Sequence, residues 1–140
     1  MKHKEFITGL AVAFSLTGCA AAKRVASVAV VESDRVADDL AMDWRVATSE
    51  QVSGCREELP SESTVEERVA CLGPYTPEET DKLIAGIKVL IAAQVAVQVA
   101  VECEAFKGCK DDPDWKALAS DIVTAWEAIR PYAQAIKDRK

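Results

Sequence analysis

Five cysteines, Cys19, Cys55, Cys71, Cys103 and Cys109, are the residues of this 140-residue chain best equipped for chemistry. Thiolates hold zinc or run redox exchange when they come as Cys-x-x-Cys pairs or stand beside histidine. No two of these cysteines have that spacing, and the single histidine, His3, sits at the extreme N-terminus. No metal ligand and no cofactor is therefore expected. Structural disulfides are the expected use, although an odd count leaves one cysteine to explain. Carboxylates are the second candidates. Asp34, Asp38, Asp39 and Asp43 crowd one segment, and Asp111, Asp112 and Asp114 another. Such groups can act as acid and base on a glycosidic bond, or ligate calcium from a loop of oxygen donors. Neither segment has an EF-hand pattern. A solvated helix face, interspersed with Arg35 and Arg45, accounts for the first, and helix capping for the second. Without a histidine in the body of the chain, a Ser-His-Asp or Cys-His arrangement cannot be built. The expectation is a protein that is not an enzyme, with no catalytic residue.

Charge narrows the partners. The chain has 17 basic and 23 acidic residues, net −6, and such a surface repels phosphate backbones. Nucleic-acid binding is disfavoured.

The N-terminal stretch accounts for the fifth cysteine. Met1-Lys2-His3-Lys4-Glu5 is a short basic segment, and residues 6–16 form an 11-residue uncharged run. That length suits an export signal, whereas a transmembrane helix needs roughly 20 residues. The run closes on Leu16-Thr17-Gly18-Cys19, with three alanines after the cysteine. This tetrapeptide resembles the lipobox of bacterial lipoproteins. The resemblance implies that residues 1–18 are a signal peptide that is removed. It implies that Cys19 becomes the mature N-terminus and carries palmitate-type acyl chains into a membrane. One chain anchors only marginally, and lipoproteins of this class carry two or three. Ala20 is not the aspartate associated with inner-membrane retention, so the resemblance further implies the outer membrane, on its periplasmic face. Removal of the leader takes His3, Lys2, Lys4 and Glu5 with it. The remaining 122 residues, 19–140, carry 15 basic and 22 acidic side chains, net −7, and are enough for one domain.

Four helices are expected to position the other cysteines. Helix 1 covers about residues 21–52, with Val25, Val28, Ala29, Val36, Leu40, Trp44 and Ala47 on one side and Gly54 as its stop. A loop over residues 53–62 holds Cys55. Ser63-Thr64-Val65-Glu66 reads as a capping box, Ser63 the cap, opening a helix over 64–72 that Gly73-Pro74 ends. Thr76-Pro77-Glu78-Glu79 opens helix 3, with Glu79 completing a box. That helix runs to about Phe106, with Gly108 as its stop. Its face is expected to be Leu83, Ile84, Ile87, Leu90, Ile91, Val95 and Val99. Alternation of Val95, Val97, Val99 and Val101 suggests a strand, but the helical caps outweigh it. Only 13 residues separate Lys88 from Glu102, so a membrane-inserted helix over 83–101 is the minor alternative to a core helix. Asp112-Pro113 opens helix 4, whose stripe is Trp115, Leu118, Ala119, Ile122, Trp126, Ile129, Ala133 and Ile136. Pro131 should kink or end its last turns.

These elements predict an all-α protein: an antiparallel bundle of three long helices plus one short helix, with two disulfides. Up-down-up topology separates Cys71 from Cys103 by about 40 Å of helix, whereas a disulfide needs Cα atoms within about 7 Å. The expected pairs are therefore Cys55–Cys71 and Cys103–Cys109. The bundle should stand on the membrane with its Cys103–Cys109 end down, leaving the Cys55–Cys71 end for a partner. Trp115 either touches lipid head groups or, the preferred reading, covers the bundle base. Gln94 and Gln98 either line a small pocket or form a hydrogen-bonded ridge. The expected function is presentation of the bundle to a protein partner or an envelope assembly. A small-ligand or lipid carrier, with a cavity among the Ala/Val-rich helices, is the alternative.

Overall fold

A computed structural model describes residues 19–139, with side chains from residue 21 onward. Leu16, Thr17 and Gly18, the leader before them, and the Cys19 side chain lie outside it. The described residues form four helices and no strand: α1 (Cys19–Glu58), α2 (Val65–Leu72), α3 (Pro77–Ala105) and α4 (Trp115–Arg139). The chain is all-α. Helix α1 packs against each of the others, α3 also packs on α4, and α2 touches α1 alone.

Small side chains set how closely the long helices approach. Helix α1 buries Ala22, Ala26, Ala29, Val36, Ala37, Leu40, Trp44 and Ala47. The valine Val28, expected on this stripe, is exposed instead, as is Val31. Alanine lets helix axes come near the short end of the usual 8–10 Å, so the seam runs through the alanines. Helix α4 fills the space with Ala119, Ile122, Ala125, Trp126, Ile129 and Ile136, with Leu118 and Ala133 partly buried beside them. Its expected stripe is the observed one, with Ala125 added.

Helix α3 differs from expectation. It buries Leu83, Leu90, Gln94, Val97 and Ala100. Ile84, Ile91, Val95 and Val99, expected on the core side, face outward. The helix is apolar on all sides, so hydrophobicity alone leaves its rotation open. The deciding contact is polar: the Gln94 amide donates to Ser33 Oγ of α1 at 2.7 Å, both side chains being buried. A buried amide without a partner would cost about 1–3 kcal/mol.

Helix boundaries shift by a residue or more. Gly54 does not stop α1; the helix continues to Glu58, where Pro60 lies just beyond. Glycine costs about 1 kcal/mol in a helix interior, and burial of the paired Cys55 outweighs this. The box that opens α2 is Thr64 with Glu67: Thr64 Oγ1 accepts from the Glu67 N–H, and Glu67 Oε2 accepts from the Thr64 N–H. Ser63 instead accepts a hydrogen bond from Arg68 Nε. At α3, Thr76 caps the Glu79 N–H as expected, but the Glu79 carboxylate turns to Lys82 and Tyr132 rather than completing a box. Lys107, not Gly108, takes the left-handed turn after α3, at φ 53°. Helix α4 begins at Trp115, two residues later than Pro113 suggests, because Asp114 Oδ1 accepts from the Ala117 N–H. It runs through Pro131 to Arg139. Burial of Ile136 and the bonds of Arg139 to Ala47 O and Glu50 hold the final turns.

Two disulfides close the connections. Cys55 pairs with Cys71, Cα atoms 5.9 Å apart, and Cys103 with Cys109, 4.9 Å apart. The paired cysteines are 16 positions apart in sequence in the first and 6 in the second. In the chain-entropy account, replacing Cys55 and Cys71 by alanine should cost about 3 kcal/mol in denaturant unfolding, and replacing Cys103 and Cys109 clearly less. A reversed order would refute that account. Gly86 supplies a second test. A Cβ there would lie 2.6 Å from Ile129 Cγ2, a fully buried branched atom. Overpacking costs about 1–3 kcal/mol, against about 1 kcal/mol gained in helix propensity. Gly86→Ala should thus lower the melting temperature by a few degrees; a raised Tm would show that the α3–α4 seam yields.

Candidate functional site

Three places in the structure bring functional side chains together. At one end, Trp44 of α1 lies between Tyr75 and Tyr132, with ring centroids 4.7 and 5.2 Å away. Trp44 Nε1 donates to Thr80 Oγ1 at 3.1 Å, and the Tyr132 hydroxyl donates to Glu79 Oε2 at 3.1 Å. Lys82 bridges Glu78 and Glu79 at 3.2 and 3.1 Å, and the Arg139 guanidinium lies 5.6 Å from the Tyr75 ring centre. The Lys82 and Tyr132 hydrogen bonds hold Glu79 below the ordinary carboxylate value. Burial, then the neighbouring Glu79 carboxylate, push Tyr132 up. These bonds and ring contacts cross-link α1, α3 and α4, so the cluster reads as a staple.

At the other end of α3, Trp115 is 5% exposed and donates from Nε1 to Glu104 Oε2 at 3.1 Å. Lys23 of α1 pairs with Glu104 and lies 5.5 Å from the Trp115 ring centre. Trp115 covers this end of the helices, the preferred of its two readings. The Lys23 hydrogen bond, with help from Trp115, holds Glu104 below the ordinary carboxylate value.

The Cys55–Cys71 disulfide borders the third place, an open groove of about 370 Å³. Val52, Leu59 and Leu72 give it apolar walls, and Arg56 and Arg68 its charge. Arg68 is already engaged by Ser63 Oγ and Ser61 O, both at 3.0 Å. A second open groove, about 220 Å³, lies between Asp43, Glu50 and Arg139. Both are shallow openings rather than enclosed cavities.

The carboxylate clusters do not converge. Asp34, Asp38, Asp39 and Asp43 are all exposed along α1, and Asp114 caps α4. Among the described residues, no three His, Cys, Asp or Glu side chains gather as metal ligands would. Gln94 and Gln98 part company: Gln94 is buried on Ser33, while exposed Gln98 donates to Glu102 at 3.2 Å.

A further feature lies on the outside of α3, on residues expected in the core. Between Ile84 and Val101, the outer face of α3 presents Ile84, Ile91, Val95 and Val99, exposed at 46, 46, 53 and 58%. Phe106, just past the helix, is 84% exposed. No periodicity in the sequence separates this face from the buried one, because the helix is apolar on all sides. Helix α3 is long and apolar enough to cross a membrane by length and composition. Its neighbour argues against that placement. The Gln94–Ser33 bond sets the middle of α3 level with Glu32, Asp34 and Arg35 of α1, all exposed. Each such charge at the centre of a bilayer costs about 2.5–3.5 kcal/mol.

Comparison of the chain with known protein families, with curated proteins and with solved structures finds no match.

The shifted carboxylates predict an acid response. Glu79 and Glu104 have lower pKa values folded than unfolded, so they stabilise the fold above their unfolded value of 4.5. That contribution is lost as pH falls through the depressed folded value. Thermal melts between about pH 6 and pH 3 should show the decline. A protein carrying Glu79→Gln and Glu104→Gln should show a flatter one, and an unchanged slope would remove these pairs from the account.

Proposed function

We propose that this chain is a non-enzymatic lipoprotein of the bacterial cell envelope. Residues 1–18 act as its signal peptide, and Cys19 carries the acyl anchor. Residues 19–140 form an antiparallel bundle of three long helices that presents a surface to a protein partner. The opposed order of contacts supports the antiparallel reading: Lys23 with Glu104, Ser33 with Gln94, and Trp44 with Thr80.

The single observation that carries the interaction reading is the outer face of α3. Exposed isoleucines and valines aligned along one helix face form a contiguous apolar row of the kind that marks a binding site for another protein. This moves the expected partner surface from the Cys55–Cys71 end to the flank of the bundle. The carrier alternative draws less support, because both grooves are open and a carried ligand is usually mostly enclosed. A membrane-inserted α3 meets the length criterion but sets exposed α1 charges beside it. Outer-membrane placement rests on Ala20 following the lipobox cysteine.

Metabolic labelling with a clickable palmitate analogue tests the anchor. The full chain should be labelled and recovered with membranes, and Cys19→Ser should lose the label. Labelling that survives the substitution would end the lipoprotein reading. Cys19→Ser without residues 1–18 should be soluble without detergent; a need for detergent would return α3 to the bilayer.

A further inference from the structure

The outer face of α3 is self-complementary. At 100° per residue, Ile84, Lys88, Ile91, Val99, Glu102 and Phe106 all lie within about 40° of the direction of Val95. Phe106 continues the helical trace, its N–H bonded to Glu102 O at 3.0 Å. These residues are also symmetric in sequence about Val95. Lys88 lies seven positions before it and Glu102 seven after. Ile91 and Val99 are four away on either side, and Ile84 and Phe106 eleven. All are exposed. Neither Lys88 nor Glu102 has an ion-pair partner among the described residues.

We infer that this face is covered by a second copy of the chain, the two α3 helices packing antiparallel about a two-fold axis through Val95. The inference rests on the reading of the α3 face as an interaction surface, and is independent of the anchor. A two-fold interface pairs residue i with j and j with i. Here it sets each Lys88 opposite the other copy's Glu102, each Ile91 near Val99, and each Ile84 near Phe106. Val95 meets its own counterpart. Parallel packing would instead set Lys88 against Lys88 and Glu102 against Glu102, so charge selects the antiparallel pair. A lipid surface fits the same face poorly. Helices that lie in a bilayer interface are rich in Lys and Arg beside the apolar side. This stretch has Lys88 alone between Ile84 and Val101, on a chain of net charge −6.

Cysteine cross-linking of the full chain in membranes tests the geometry. Val95→Cys should give a disulfide-linked dimer on a non-reducing gel, and Val31→Cys, exposed on α1, should not. Lys88→Cys should not cross-link to itself, whereas Lys88→Cys with Glu102→Cys should. Sedimentation of the purified full chain should give twice the 15.1 kDa chain mass, less any leader removed. Lys88→Glu should weaken the dimer about tenfold, and adding Glu102→Lys should restore it. Unchanged circular dichroism checks that each variant folds. A monomer throughout, self-linking at residue 88, or binding to phosphatidylcholine–phosphatidylglycerol vesicles that Val95→Glu abolishes would overturn the inference. If the wild type is monomeric yet Val95→Glu abolishes capture of an envelope protein, the second copy is wrong and the interaction surface stands. If Val95→Glu changes neither, both fail.

Discussion

One hydrogen bond settles the orientation on which the outer surface depends. Helix α3 is apolar around its circumference, so burial of apolar area rewards many rotations about its axis almost equally. Only one polar side chain, Gln94, breaks that equivalence from the inside. Its amide must find a partner when buried, and Ser33 of α1 supplies one at 2.7 Å. Turning α3 by one residue would leave that amide unmet. The bond therefore does little for net stability and much for uniqueness, as buried polar pairs do in other helical assemblies. It also decides which isoleucines and valines remain outside.

The two ends of the helices are held differently. At one end the Trp44–Tyr75–Tyr132 cluster joins α1, α4 and the approach to α3, and Arg139 ties the last turn of α4 to Ala47 and Glu50. This is why Pro131 does not terminate α4: its missing N–H removes one bond, and several tertiary contacts replace it. At the other end Lys23, Glu104 and Trp115 interlock across three helices. The two disulfides sit on the connections, and each closes a short stretch of chain.

Much of this was legible in the residues. Amphipathic spacing placed α4 and its core stripe almost residue for residue, because tryptophans and isoleucines at helical spacing leave one face for them. Connection lengths and helix lengths paired the cysteines. Caps were legible to within one or two positions only. Ser63 and Thr64 are chemically near-equivalent caps, and the choice between them depends on where Arg68 and Glu67 can reach. Gly54 and Gly108 read as stops because glycine usually is one, but tertiary burial of Cys55 and a left-handed Lys107 overrode that preference. The face of α3 was not legible at all. A periodicity argument needs contrast between sides, and valine with alanine on every side offers none.

Lys23 fastens the start of α1 beside the end of α3, which has a consequence for how paired chains would meet a membrane. In an antiparallel α3 pair, the two Cys19 positions fall at opposite ends, about 40 Å apart at 1.5 Å per residue. If Cys19 carries the proposed acyl anchor, two anchors so far apart can share a leaflet only if the pair lies along it, as a strut tethered at both feet rather than a post. Each foot then holds the other near the surface at high effective concentration, and release from the bilayer requires both to let go together.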